Sequence, residues 1–222
     1  MIVSIKMNMG FIQWMINIVK KIGFLCLVSP FQRLIMGALG RKSYIPLSTR
    51  LDGSKRIFVG YGVTIGRQSW LAAMPLTGSK TCRLIIGDGT YVGNQAHFYA
   101  TSRIEIGHRV LFADKVYVSD NLHTYEDIEM PIIAQPIKQL NEVTIGDGAW
   151  IGENACIIGA SIGKHCVVGA NAVVTKDIPD YCVAVGAPAI IVKRYSHELG
   201  TWIRTNEDGS PKDKKQTHDP EN

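Results

Sequence analysis

The chain carries 6 histidines, and one of them stands where a proton could be moved. His123 sits in the run Asp120-Asn121-Leu122-His123-Thr124-Tyr125-Glu126-Asp127, with carboxylates on either side. Imidazole ionises near neutral pH, and an adjacent carboxylate can fix its tautomer and stabilise the imidazolium. Such a pair can take the proton of a hydroxyl as its oxygen attacks an activated carbonyl. Spacing alone does not raise His123 above a solvated loop histidine, so the elements that carry it have to decide. The remaining histidines suggest less. No two lie a few residues apart, so no metal site is expected. His108 and His165 fall at turn positions that should face solvent. His97 lies on a strand near the expected cleft, open to a structural or an acceptor-side role. The 5 cysteines are odd in number and form no CxxC, which argues against a disulfide framework and a zinc site and for a reducing cytoplasm.

The element that must position His123 is a repeat. Residues 143–175 read VTIGDGAWIGENACIIGASIGKHCVVGANAVVT. The recurring unit is an aliphatic residue, Gly, two turn-prone residues and a small residue, as in Ile145-Gly146-Asp147-Gly148-Ala149 and Ile151-Gly152-Glu153-Asn154-Ala155. A period of six fits neither a helix nor a simple alternating strand, and it predicts a parallel β-helix. The aliphatic and the small residue point inward, while Gly, Asn or Asp make the corner, where left-handed dihedrals cost them little. Three units close one triangular coil, and coils stack at ~4.8 Å. Cys166 occupies a small inward position and should be a buried, inert thiol.

Earlier hexads, such as Ile65-Gly66-Arg67-Gln68-Ser69 and Ile86-Gly87-Asp88-Gly89-Thr90, extend the pattern to roughly five to six coils. Two stretches break it. Residues 73–83 loop out briefly, and residues 120–142 leave the wall with two prolines and no hexad. An insertion that lets a regular wall resume in register is where function is expected, and His123 lies at its start.

The chain therefore divides into residues 1–56, a helical extension and connector; residues 57–186, the β-helix with loop 120–142; and residues 187–222, an exit segment and mobile tail. Phe11, Met15, Ile18, Ile22 and Leu25 recur at helical spacing, so the apolar N-terminus reads as an amphipathic helix. Its uncharged runs fall short of the ~20 residues that span a bilayer. It either packs on the prism or a neighbouring subunit, or lies on a membrane as a peripheral anchor. The net charge of +5 suits an anionic small molecule or an acidic membrane as well as nucleic acid, and decides little.

Residues 57–195, with the repeats quoted above, resemble the hexapeptide-repeat acyltransferases, whose fold is a left-handed parallel β-helix. The loop sequence SDNLHTYEDIEMPIIAQ is similar to the sugar O-acetyltransferases of polysaccharide clusters. The resemblance implies an all-β protein whose handedness opposes the usual crossover rule. It also implies acetyl-CoA as acyl donor without a metal, a sugar or glycan acceptor, no nucleic-acid partner, and a homotrimer binding the donor between adjacent prisms. On this resemblance His123 is the general base and Asp120 its partner, and Trp150, Gly152, Ala170 and Lys176 line the donor groove. There are departures: Glu153 replaces a small hydroxyl residue of some members. Ala189-Ile190-Ile191 stands where several have an arginine, with Lys193 and Arg194 as nearby substitutes. The expected site of action is the cytoplasm, or the inner face of the membrane if the N-terminal helix anchors. N-acylation of an amino-sugar or antibiotic, and a non-catalytic scaffold or glycan-binding role, stay open as alternatives.

Overall fold

The computed structural model describes Trp14, Met15, Ile18, Gly23, residues 27–206, Ser210 and Lys212. A short helix, α1 (Ser29–Ile35), with a proline in its first turn, leads into the repeats. The coils then follow one another along the chain. The first contains β1 (Ala38–Leu39) and β2 (Arg50–Asp52). The second runs through β3 (Ile57–Val59), β4 (Thr64–Ile65) and β5 (Trp70–Ala73), and the third through β6 (Arg83–Ile86), β7 (Tyr91–Val92) and β8 (His97–Ala100). The fourth comprises β9 (Arg103–Ile106), β10 (Leu111–Phe112) and β11 (Tyr117–Ser119). A hairpin of β12 (Asn121–His123) and β13 (Ile137–Gln139) interrupts before β14 (Val143–Ile145), β15 (Trp150–Ile151) and β16 (Cys156–Ile158). The last coils hold β17 (Val167–Val168), β18 (Val173–Val174) and β19 (Cys182–Val185), and the chain turns back as β20 (Ile190–Ser196) and β21 (Thr201–Arg204).

Three parallel sheets result, and they form the faces of a prism. Face A holds 5 strands in the order β1-β3-β6-β9-β14, and face C holds 6 in the order β18-β16-β11-β8-β5-β2. Face B holds 8, with β4, β7, β10, β15, β17 and β19 parallel and the β20–β21 hairpin added antiparallel at its end. The parallel register stacks like upon like. Ile57, Leu84, Ile104 and Val143 form one inward row on face A, each 0% exposed. Phe112 and Ile151 sit in the row on face B, Phe98 and Val118 in that on face C. The rings of Phe98 and Phe112 meet across the axis at 5.0 Å. Cys166 is fully buried, and burial pushes its thiol up to about 11, so it is inert at neutral pH.

The corners explain the glycines and amides of the hexads. Between faces B and C, Gln68, Gln95, Lys115, Asn154 and Asn171 all have positive φ. At Gly152 in this corner, a Cβ would lie 2.5 Å from the Ala170 nitrogen of the next coil, so close stacking itself demands a glycine there.

Two segments differ from the sequence reading. The prism begins before residue 57: Ala38–Leu39 pairs with β3, Tyr44 bridges to Thr64, and Arg50–Asp52 pairs with β5. Residues 41–56, read as a connector, thus belong largely to the first coil. Its first unit, Leu39-Gly40-Arg41-Lys42-Ser43, is a regular hexad with Lys42 at positive φ, and the buried Ser43 donates to the Gly60 carbonyl at 2.6 Å and accepts from the Val63 amide at 3.0 Å; the next unit, Ile45-Pro46-Leu47-Ser48-Thr49, carries a proline where the pattern has glycine. The exit segment is ordered as the β20–β21 hairpin, while residues 207–209, 211 and 213–222 of the expected tail lie outside the described residues. So does most of the expected amphipathic helix; within it Trp14, Met15 and Ile18 are helical and exposed. Among the described residues, no helix is long and apolar enough to cross a membrane.

Candidate functional site

His123 ends β12, which pairs antiparallel with β13 and places His123 opposite Ile137. The hairpin leaves the prism at the corner between faces C and A and folds back beside face C. Its root is tied down by Asp120. That carboxylate is 0% exposed and accepts the backbone N–H groups of Thr101 at 2.7 Å, Ser102 at 2.7 Å and Arg103 at 2.8 Å. Gln139 on β13 completes the clamp. Its Nε2 donates to the Asp120 carbonyl at 2.7 Å, and its Oε1 accepts from Thr77 Oγ1 at 2.6 Å, in the shorter of the two excursions. Asn121 Nδ2 donates to the Tyr99 carbonyl at 3.1 Å, which joins the hairpin to face C.

This geometry corrects the expected pairing of Asp120 with His123. Both oxygens of Asp120 are turned into the corner and filled by amide donors, so they do not orient the imidazole. The acidic pair after His123 is also committed elsewhere. Asp127 Oδ1 accepts the amides of Glu129 and Met130, and Glu126 pairs with Lys138 at 3.5 Å. Glu126 is held below the usual carboxylate range first by the Tyr125 amide and its own. The His123 side chain is exposed, and among the described residues no hydrogen bond or ion pair reaches its ring.

Between the hairpin and face C lies a cavity of about 490 Å³. His123 and Asn121 border it on one side; Trp70, His97, Tyr99 and Tyr117 form the other. These four side chains come from β5, β8 and β11, whose register sets Trp70, His97 and Tyr117 one above another. Trp70 and His97 stack at 4.2 Å, and the Arg50 guanidinium covers the Trp70 ring at 4.0 Å. Asp52 accepts from Trp70 Nε1 at 2.9 Å and pairs with Arg50 at 2.8 Å. Burial, with the Arg50 charge second, holds His97 below its ordinary value, so its ring stays neutral.

The other predicted residues are distributed around the prism. Trp150 is 50% exposed on face B. Gly152 and Ala170 stack at the corner between faces B and C, and Lys176 is exposed just beyond β18, at the corner from which the hairpin departs. One chain therefore does not bring Trp150 onto the face that carries His123. The sequence reading missed Trp70, Tyr99 and Tyr117. Trp70, His97 and Tyr117 each directly follow the small residue of a hexad, Ser69, Ala96 and Val116, and that shared position was the available signal. Among the described residues, no group of three or more His, Cys, Asp or Glu side chains is placed to hold a metal.

A β-helix of hexapeptide coils with a histidine-bearing hairpin over an uncharged small-molecule pocket defines the class of protein. Comparison with known proteins gives its family. Residues 142–176 match the model described as the hexapeptide repeat of succinyl-transferase. A probable acetyltransferase of Mycobacterium tuberculosis is 40% identical over 62% of this chain and 49% of its own length. The putative lipopolysaccharide biosynthesis O-acetyl transferase WbbJ of Escherichia coli is 34% identical over 54% of this chain and 64% of its own. The match thus spans less than two thirds of each of these two relatives. A putative acetyltransferase of Saccharomyces cerevisiae is 34% identical over 57% of this chain and 70% of its own. Among solved structures, a maltose O-acetyltransferase from Clostridium difficile superposes with a TM-score of 0.54 at 27% identity, covering 76% of this chain and 75% of that one. The chain belongs to the hexapeptide-repeat acetyltransferase family.

Proposed function

We propose that the protein is an acetyl-CoA-dependent O-acetyltransferase acting on a sugar hydroxyl, in surface-polysaccharide biosynthesis, on a left-handed β-helix. The observation that carries this reading is the unpartnered His123 ring bordering an uncharged pocket of small-molecule size. The names of the relatives, a putative lipopolysaccharide biosynthesis O-acetyl transferase and a maltose O-acetyltransferase, support acetyl transfer to a carbohydrate oxygen.

The chemistry is direct transfer. A nitrogen of His123 takes the proton of the acceptor hydroxyl as that oxygen bonds to the thioester carbonyl carbon. The tetrahedral intermediate collapses by breaking the C–S bond, and the CoA thiolate leaves and recovers the proton from the imidazolium. Trp150, Gly152, Ala170 and Lys176 border the donor: Trp150 offers a flat apolar surface to the pantetheine arm, and Lys176 a point charge to the phosphates. Because Trp150 and His123 lie on different faces, a complete site takes residues from two copies, as in a homotrimer. The exposed row Tyr91, Leu111 and Trp150 on face B, and the exposed Tyr125, Ile128 and Ile133 of the loop, supply apolar surface for that contact.

Acetyl-CoA should raise the melting temperature of the full chain, and a CoA-release assay over a panel of sugars should identify an acceptor. A scaffold or a binding module for glycan alone would respond to neither, and that result would end the enzymatic reading. At the other end of the prism, the exposed Leu27, Phe31 and Leu34 on and beside α1 support a peripheral contact with the inner face of the membrane. In liposome flotation the full chain should rise with anionic vesicles, and a chain lacking residues 1–40 should not. Equal behaviour of the two removes the membrane contact.

A further inference from the structure

A helix on a water-facing surface hides its apolar side and shows its polar one. At its end of the prism α1 does the reverse. Ser29 and Gln32 are turned into the protein, 0% and 5% exposed, and Gln32 Nε2 donates to the carbonyl of Ile45, a first-coil residue that is itself 0% exposed. Leu27, Phe31 and Leu34 recur at helical spacing on the other side, 79%, 62% and 72% exposed. Leu47, in the first coil, adds a fourth large apolar side chain at 77%. Ser29 Oγ and Gln32 Oε1 are buried without a hydrogen-bond partner, so this inversion costs stability in water. The helix is nevertheless fixed in that pose: Ser54 Oγ donates to the Ile35 carbonyl at 2.8 Å, and Lys55 Nζ donates to the Leu34 carbonyl.

Charge is segregated toward the same end. No Asp or Glu precedes Asp52, whereas Lys20, Lys21, Arg33, Arg41 and Lys42 do. Asp52 is itself engaged by Arg50 at 2.8 Å on face C. Arg33 on α1, Arg41 and Lys42 at a corner of the first coil, and Lys55 and Arg56 where that coil passes into the second, are all exposed. A second copy of this end would bring the same cations against it and be repelled. A bilayer with anionic headgroups accommodates both kinds of group at once, with the apolar side chains at the acyl boundary and the cations at headgroup level.

We propose that α1 and the first coil form a docking face for an anionic bilayer, on which the prism stands end-on. The hairpin carrying His123 is rooted three coils further along, after β11. With the width of α1 added, that root is held on the order of 20 Å from the lipid surface, in water. Such a face presupposes the peripheral membrane contact proposed above, and it fixes which residues make the contact and how the prism stands.

The full chain is floated with vesicles of phosphatidylglycerol and phosphatidylcholine, and with vesicles of phosphatidylcholine alone. It should rise with the first and stay behind with the second. The double variant Phe31→Ser, Leu34→Ser alters only exposed side chains; it should keep the wild-type melting temperature and bind the anionic vesicles about a hundredfold less well. Arg33→Gln and Arg41→Gln should each weaken binding about fivefold. Hydrogen exchange on the bound full chain reads the stance: amides of residues 27–36 should slow, and those of residues 121–139 should keep their rates. Equal flotation with neutral vesicles, or protection of the hairpin instead of α1, would overturn the proposal. If the double variant floats as wild type does, α1 is not the docking face, although the membrane contact itself survives. If the wild-type chain fails to float at all, both fall. A change of sedimentation in the double variant without lipid would assign the patch to a second copy and likewise overturn it.

Discussion

His123→Ala lowers acetyl transfer by ~10²–10⁴-fold and leaves the acetyl-CoA melting shift in place, if the imidazole is the general base. The separation of the two effects follows from how the hairpin is built. Its root is held by Asp120, Gln139 and Asn121, and the His123 ring takes part in none of those bonds. Removing an exposed ring should therefore leave the loop and the prism folded. Turnover and thermal shift, measured on one preparation, check both halves. A variant that transfers acetyl groups at nearly the wild-type rate would remove His123 as base. The same variant tests whether sites are shared. Trp150→Ala leaves His123 intact, so mixing and reassembling the two inactive variants should restore part of the activity if one copy lends the base and another the donor wall. No recovery would argue that each chain works alone.

Asp120→Ala should be costly to stability instead, by several kcal/mol, at about 1–3 kcal/mol for each buried N–H left without its acceptor. The amides of Thr101, Ser102 and Arg103 would lose their common acceptor at a corner that folding has closed to water. Asp120→Asn should also destabilise, because an amide nitrogen would face N–H groups that one carboxylate oxygen now accepts. Urea unfolding gives the measurement. Had Asp120 been the orienting partner of His123, the outcome would be reversed, with turnover lost and the unfolding midpoint unchanged. That reversed outcome would overturn the structural role assigned to it.

The contrast between these two residues shows what a sequence pattern can and cannot reveal. Inward rows such as Ile145 and Ala149 were legible because burial acts on every coil alike, and the repeat makes the same choice each time. Loop 120–142 was legible as the place where that repetition stops. The direction of Asp120 was not. In extended chain, residues three apart point to opposite sides and sit ~10 Å apart, so neighbours in sequence part company in space. The aromatic stack was hidden for the opposite reason: Trp70, His97 and Tyr117 are distant in sequence and meet only once parallel pairing brings their coils into register. The first coil escaped notice because its one regular hexad, Leu39 to Ser43, is followed by a unit with Pro46 where the pattern has glycine.

The turned-back strands after β19 have one more effect. A stack of coils in parallel register would finish in a rim of unused amide and carbonyl groups, an invitation for another rod to continue the ladder. Here β20 and β21 continue face B antiparallel to the coils, so its last edge no longer matches a parallel coil, while at the opposite end α1 lies against the first coil, where Gln32 Nε2 donates to the Ile45 carbonyl at 3.1 Å. With its two ends unlike in strand direction and covering, the rod offers no edge on face B onto which a second rod could add a coil in parallel register.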